Sequence, residues 1–427
     1  MRQMKYSGIE WIGNIPADWN IRVAFQLFEQ VKNKNDGLVE QNLLSLSYGK
    51  IKRKNINTVG GLLPENFDGY NIIERDDIVL RLTDLQNDHT SLRVGLSTER
   101  GIVTSAYVTL RNQSENIPLY LYYYLHSFDL CKGFYGMGAG VRQGLNWDGL
   151  KLLKFALPSV EEQKRIADFL DKKCAEIDAV IAKTKATIEE YKKLKQSIIN
   201  EAVTKGIRGN LPMKDSGIEW IGEIPAEWNV LRLKNLAIEF SKGNGITKED
   251  VVANGDTPCV RYGEIYTKYN QSFTECQTRT NKANVSTPKY FSYGDLLFTC
   301  TGELVEEIGK SIVYMGEDEC LAGGDIIVLR HLQCPSFLNY AVNSNYAQAQ
   351  KSCDKTKLKV VHISSSDIAN IIMAIPNVSE QEEIEEYLDK KCIAIDNAIA
   401  KKTALLEEME NYKKSVIYEY VTGKREV

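Results

Sequence analysis

Residues 5–21 read KYSGIEWIGNIPADWNI, and residues 214–230 read KDSGIEWIGEIPAEWNV. At this offset of 209, thirteen of the seventeen positions are identical, and the Trp11/Trp220 and Trp19/Trp228 pairs are among them. Internal repeats decide organisation before any motif does. Residues 158–204 match 376–422 without a gap at an offset of 218, with 24 of 47 positions identical. That block pairs Glu162-Gln163 with Glu380-Gln381, and Asp171 to Cys174 with Asp389 to Cys392. The chain is written twice.

Between the blocks the copies diverge but keep a skeleton. Tyr48-Gly49-x-Ile51 answers Tyr262-Gly263-x-Ile265, and the run from Asp77 answers the run from Asp295. Residues 108–111 answer 327–330, and Pro118 answers Pro335. The order is therefore A–B–A′–B′, with expected bounds 1–154, 155–206, 207–372 and 373–427. The A modules carry short β-prone runs bounded by Gly, Asn and Asp, at 77–82, 101–110, 295–299 and 325–329, and an aromatic-rich helical stretch at 119–127 and 336–344. Each is expected to be a mixed α/β globule.

The B segments read differently. Ile166, Leu170, Ile177, Ile181, Ile188, Tyr191 and Ile198 recur at steps of three, four and seven, and Ile384, Leu388, Ile395, Ile399, Leu406, Met409 and Val416 repeat the stripe. That period predicts long amphipathic helices. Ser159-x-x-Glu162 and Asn377-x-x-Glu380 are start signals, while Gly206 and Gly423 mark the ends. About 44 residues at ~1.5 Å each give a rod of roughly 65 Å. Two such stripes can bury each other as an antiparallel coiled coil with a pseudo-twofold axis near Ala182 and Ala400. The packing residues are then Ile166, Leu170, Ile177, Ile181, Ile188, Ile384, Leu388, Ile395, Ile399 and Leu406. The expected class is α+β: two mixed α/β domains separated by two long helices.

Composition narrows the function. The 427 residues hold 53 Lys plus Arg against 57 Asp plus Glu, a net charge of −4, so any role with nucleic acid rests on local patches. Hydrophobic residues at 43% suit packed cores. No apolar run approaches the ~20 residues of a membrane span, and the first residues are polar. Nine Cys, an odd count without a C-x-x-C pair, disfavour a disulfide framework and a zinc site. Reduced thiols in a cytoplasm follow as the expectation.

Enzymatic signatures fail on inspection. Gly309-Lys310-Ser311 has the tail of a phosphate loop, but Leu304 stands where its first glycine is needed. Gly136, Gly138 and Gly140 follow a helical stretch rather than a strand, which is the wrong context for a dinucleotide turn. No two prolines adjoin, so the Asn/Asp-Pro-Pro-aromatic motif of amino methylation is absent, and the four His offer neither triad nor metal cluster. No catalytic residue, metal ligand or cofactor site is expected.

Binding features remain. Lys50, Lys52, Arg53 and Lys54 form one basic cluster; Lys351, Lys355, Lys357 and Lys359 form another. Arg142, Gln143 and Asn146 lie on the Gly-rich loop in much the same place in the first copy, and Arg261 precedes Tyr262-Gly263. Arg, Gln and Asn suit the edges of guanine and adenine; Lys suits phosphate. A solvated face is the competing reading for each cluster. The net charge of +2 over 22–154 and −1 over 231–372 gives DNA binding little global support, whereas −4 over 373–427 suits a protein partner.

The paired S-G-I-E-W-I-G-x-I-P-A-x-W boxes, Gly294-Asp295-Leu296-Leu297, and the P-x-V-x-E-Q…L-D-K-K helices ending in Val203-Thr204 and Val421-Thr422-Gly423-Lys424 resemble the specificity subunits of type I restriction–modification enzymes. The resemblance covers essentially the whole chain, in order and in two copies. It implies two target-recognition domains, each reading half of a bipartite site in double-stranded DNA. It also implies two helical regions that set the spacing and dock two modification (methyltransferase) subunits, joined in a restricting complex by motor–nuclease subunits. It implies a prokaryotic cytoplasm and no catalysis by the chain itself. The base contacts vary too much within the family to be carried across. The alternatives are a coiled-coil scaffold or adaptor that never touches DNA, and an enzyme with an unfamiliar active site.

Overall fold

The computed structural model describes the chain except residues 1, 57–66, 89, 138–143, 286 and 354–360. It divides into two units, Met1–Lys185 with Ala404–Val427, and Ala186–Thr403. Neither unit follows the repeat boundaries, because each long helix is shared between them. Those helices run Val160–Lys205 and Val378–Val421, 46 and 44 residues long. Both begin as their sequences predict: the Glu162 N–H donates to Ser159 Oγ (3.3 Å) and the Glu380 N–H to Asn377 Oδ1 (3.0 Å). Gly206 and Gly423 follow their ends at φ +74° and +67°, the left-handed closure that favours glycine.

The module of the first unit is built on an antiparallel sheet in the order Phe28–Gln30, Val108–Asn112, Ile78–Leu80, Val94–Leu96. The second repeats that order with Ala237–Lys242, Ile326–His331, Leu296–Thr299 and Ser311–Tyr314, and adds Ser272–Phe273 in parallel. The run expected over 101–110 is two strands, Gly101–Val103 and Val108–Asn112, parted by a turn at Tyr107. Helices Pro118–Leu130 and Pro335–Val342 complete the modules, each with Pro at its start, where a missing N–H costs nothing.

The repeated residues hold module to helix. Ile117 and Cys334 precede those module helices and have no side chain that caps them. Their N–H groups instead donate to Gln163 Oε1 and Gln381 Oε1, both at 3.0 Å, from the first turns of the long helices. The same glutamines donate from Nε2 to Pro158 O and Pro376 O. Tyr123 and Tyr340 reach Asp171 and Asp389 about two turns farther along. Inside the modules, Arg111 grips Asp77 with two hydrogen bonds (2.8 and 2.7 Å), and Arg330 grips Asp295 likewise (3.3 and 3.0 Å). These pairs account for the shared Asp and Arg skeleton between the blocks.

Within each unit the two helices run antiparallel. In the first, Lys413 Nζ lies 2.6 Å from Asp178 and Lys185 Nζ 3.6 Å from Glu410. In the second, Lys195 Nζ lies 2.6 Å from Asp396. Lys195 and Lys413 are repeat partners, as are Asp178 and Asp396, so one ion pair is made twice.

The stripe is only partly a helix seam. Ile166 and Leu170 belong to the core of the first module, together with Val416, Ile417, Tyr420 and Val421 of the other helix. Ile384 and Leu388 sit equivalently in the second core beside Ile199, Ala202 and Val203. Ile177 and Ile188 are buried, whereas Ile181, Ile395, Ile399 and Leu406 are only half-buried.

The duplicated boxes are small antiparallel clasps, Met4–Tyr6 on Asn14–Pro16 and Met213–Asp215 on Glu223–Pro225, with Trp19 and Trp228 buried beneath. The second box follows the first long helix and packs Trp228 beside Gly206. The first box closes over the end of the other long helix, 400 residues away: Trp19 and Pro16 sit on Gly423, and Tyr418 Oη donates to Trp11 O.

Candidate nucleic-acid interface

The basic cluster of the first module lies on a hairpin. Strands Leu44–Ser47 and Lys50–Arg53 pair directly, and Tyr48 and Gly49 turn the chain at φ +48° and +74°. Two left-handed residues make the tight turn whose twist matches its strands. Gly49 is required there also for space, since a Cβ would stand 3.1 Å from Leu92 Cβ. Leu44 and Leu46 face the core, leaving the charged strand outward.

The four cations of that strand are not equivalent. Side chains alternate along a strand, so Lys50 and Lys52 share a face that Arg53 does not. Lys50 reaches Asp178 of the first long helix at 3.5 Å. Arg53 is bound to Glu99. Lys52 and Lys54 are exposed and have no ion-pair partner among the described residues. Tyr48, at the tip, is 77% exposed.

Between hairpin and helices lies a cleft of 560 Å³ walled by Tyr48, Tyr122, Tyr123, Asp178 and Lys413. His126 lines it with a ring stacked on Tyr122, and its Nδ1 is buried without a partner among the described residues. Burial pushes the His126 pKa down to about 4, so the ring is neutral. Sequence reading missed Arg93, which is wholly buried just ahead of Val94–Leu96. Its guanidinium donates to Arg81 O, Thr83 O and Tyr135 Oη, pinning the loop over 81–88. An arginine next to a β-prone run gives no sign of this role.

Arg142 and Gln143 lie outside the described residues, as do Lys355, Lys357 and Lys359. Asn146 is described and is partly committed: it caps the short helix Trp147–Leu150, accepting from the Gly149 N–H at 3.2 Å. Lys351 is not part of a surface cluster. It is buried, donates to Gly309 O at 2.9 Å, and burial lowers its pKa to about 7. Of the second basic cluster, the one described lysine is thus core rather than surface.

The shared Tyr-Gly motifs take different forms. Tyr262 leaves the second module's Thr257–Val260 strand as Tyr48 leaves Leu44–Ser47, but Tyr262–Thr267 is a helical turn rather than a hairpin. The reason is Glu264, whose Oε2 takes the Arg261 N–H at 2.9 Å while its own N–H donates to Arg261 O. Lys50, in the corresponding place, offers no such acceptor. Arg261 lines a separate cleft of 570 Å³ with Lys248, Tyr262 and Lys268.

One frame thus carries two differently shaped, partly basic faces. The family model for the type I restriction modification DNA specificity domain matches residues 18–190 and 225–411, most of both copies. The chain belongs to this family. It is 23% identical over 432 residues to the type I restriction enzyme MjaVIII specificity subunit of Methanocaldococcus jannaschii, covering 96% of this chain and 93% of that one. It is also 23% identical to the Escherichia coli EcoKI specificity subunit over 283 residues, covering 64% of this chain and 58% of that one. Among solved structures, a chain from a study of complex assembly and conformational transition of the type I R-M system superposes with a TM-score of 0.69 at 14% identity. That likeness covers 96% of this chain and 99% of the other. The HsdS subunit of Thermoanaerobacter tengcongensis gives a TM-score of 0.50 at 14% identity, covering 96% and 98%. The fold of the family's specificity subunits is therefore this fold. Among the described residues, no helix is long and apolar enough to cross a membrane.

Proposed function

We propose that this chain is the non-catalytic specificity subunit of a type I restriction–modification complex, acting on double-stranded DNA in a prokaryotic cytoplasm. Each module reads one half of a bipartite target, and the helices set the gap and dock two modification subunits. Motor–nuclease subunits join in the restricting form. The observation that carries this reading is the contrast between frame and faces. The glutamine clamps, the Asp–Arg grips and the helix ion pair are made twice, while the exposed strand exits differ. A scaffold would have no need of two unlike faces on a duplicated frame.

In the first module, Lys52 and Lys54 are the cations best placed for phosphate, with Lys50 available if it leaves Asp178. Arg53 is committed to Glu99 and contributes less. Arg142, Gln143 and Asn146 remain proposed base readers, and Lys355, Lys357 and Lys359 proposed phosphate contacts. Arg261 serves the second module.

The test is genome-wide adenine methylation by single-molecule sequencing in cells expressing the chain with its modification subunit. One motif with two short defined halves about a fixed gap supports the reading, and a continuous motif overturns it. A helical insertion between Ala182 and Lys195 should lengthen the gap and leave both halves unchanged.

A further inference from the structure

The cleft beside Arg261 supports a sharper statement, which rests on the DNA-reading proposal. Glu264 is almost wholly buried and holds the start of the helical turn in place. It accepts from the Arg261 N–H (2.9 Å), from Thr278 Oγ1 (2.9 Å) and from Lys268 Nζ (2.7 Å). With the backbone at 261 fixed, the direction in which its side chain departs is fixed as well.

The guanidinium is not consumed by that arrangement. Its nearest carboxylate oxygen, Glu264 Oε1, lies 3.7 Å from Nη2, beyond hydrogen-bond length. Its Nε is buried and has no hydrogen-bond partner among the described residues. Closed to solvent, that Nε is not the atom a ligand meets; the side chain is 28% exposed beyond it. The exposed cations of the first module's hairpin, by contrast, are already solvated.

Close backbone packing holds the arginine stem beside the cleft. A Cβ on Gly323 would stand 2.9 Å from Val260 O and 3.4 Å from Arg261 Cγ. A Cβ on Gly243 would collide with Gly323 O, and one on Gly324 would stand 3.3 Å from Gly245 Cα. Of these glycines only Gly324 lines the 570 Å³ opening, with Lys248, Asp325 and the exposed Tyr262; Gly243 and Gly323 lie where backbone packs on backbone beside the arginine stem.

We propose that Arg261 is a specificity-determining residue that reads a guanine of the second module's half-site, its fork donating to O6 and N7 in the major groove. A planar fork on a fixed stem suits bidentate reading of guanine, whereas phosphate needs only a mobile charge.

The test uses the whole chain in its modification complex, as wild type, Arg261→Lys and Arg261→Gln. The methylation motif is sequenced, and duplex binding is measured across a salt series. If the wild-type complex itself gives no bipartite motif, the DNA-reading proposal falls and this one with it. Given that motif, both variants should relax one G·C pair in one half only. Discrimination there should fall on the order of ten- to a hundredfold, with the other half intact. The Lys variant keeps the charge, so its salt slope should match wild type while its specificity does not. Weakening that is uniform across sequences, with a slope smaller by about one for Gln and unchanged for Lys, would make Arg261 a phosphate contact and overturn base reading. An unaltered motif, or relaxation in both halves, would overturn it too.

Discussion

Replacing Gln381 with Ala tests why the Glu-Gln pair is written twice. The side chain is fully buried and makes three bonds: from the Cys334 N–H (3.0 Å), to Pro376 O (3.0 Å) and to Gln333 Oε1 (2.8 Å). Ala leaves the Cys334 N–H unmade in a site without water access, which costs about 1–3 kcal/mol. The vacated volume adds roughly 1 kcal/mol. The expected loss is therefore about 2–4 kcal/mol, with Gln163→Ala similar in the other unit. Gln381→Glu keeps the acceptor but cannot make both donations, and it buries a carboxyl whose pKa burial must raise. A group with a raised folded pKa stabilises at low pH and loses that contribution as pH rises, so this variant should worsen from acid to neutral. The assay is denaturant unfolding combined with hydrogen exchange of peptides spanning 333–342. Exchange should accelerate at the start of Pro335–Val342 before global unfolding. A loss under about 0.5 kcal/mol with unchanged exchange would refute the clamp as the reason for the repeated pair.

Four further outcomes follow from the geometry. Gly423→Ala should destabilise by more than Gly206→Ala in thermal melts: both sites have positive φ, worth about 1–2 kcal/mol, but only at 423 would the Cβ collide with Pro16. Asp77→Ala should cost about 1–3 kcal/mol by removing the Arg111 and Glu74 N–H bonds, less than a fully buried pair because Arg111 is 36% exposed, and Asp77→Ala with Arg111→Met should recover part of it. The His126 and His331 pKa values are pushed down to about 4 by burial, so their stabilisation is complete above pH 6.5 and is lost as pH falls through 4. His126→Gln should flatten that slope in hydrogen exchange of the first unit alone. Double-mutant cycles on Lys195–Asp396 and Lys413–Asp178 should give couplings below about 1 kcal/mol that fade in high salt.

The frame was legible because it is repeated and because a 3.6-residue period over 40 residues has few other readings. The stripe's partners were not legible. Ile166 and Ile384 obey the helix period equally well whether they face a helix or a sheet, and periodicity carries no information about which. Identical letters also misled: Trp11 is covered by Tyr418, whereas its copy Trp220 is 49% exposed, because Asn200 stands where Tyr418 would be. Charge clusters were the weakest guide. Lys50 through Lys54 read as one patch, yet alternate strand faces send Lys50 to Asp178 and Arg53 to Glu99. Lys351 looked like surface and is core, since a lysine stem packs as well as an aliphatic one once its amine finds a carbonyl. Arg261 was singled out only for its residue type; its unspent fork is visible only once Glu264 is in place.

The clasp of residues 5–21 over the end of the second long helix sets an order of events during synthesis. Residues 186–403 form a uninterrupted stretch that can fold as soon as it has emerged. The other unit must wait, because its core includes Val416, Ile417, Tyr420 and Val421. At about 5–20 residues per second, Trp19 stays without its final neighbour for on the order of 20–80 seconds. During that interval the unit made first is the one still open, and it finishes last.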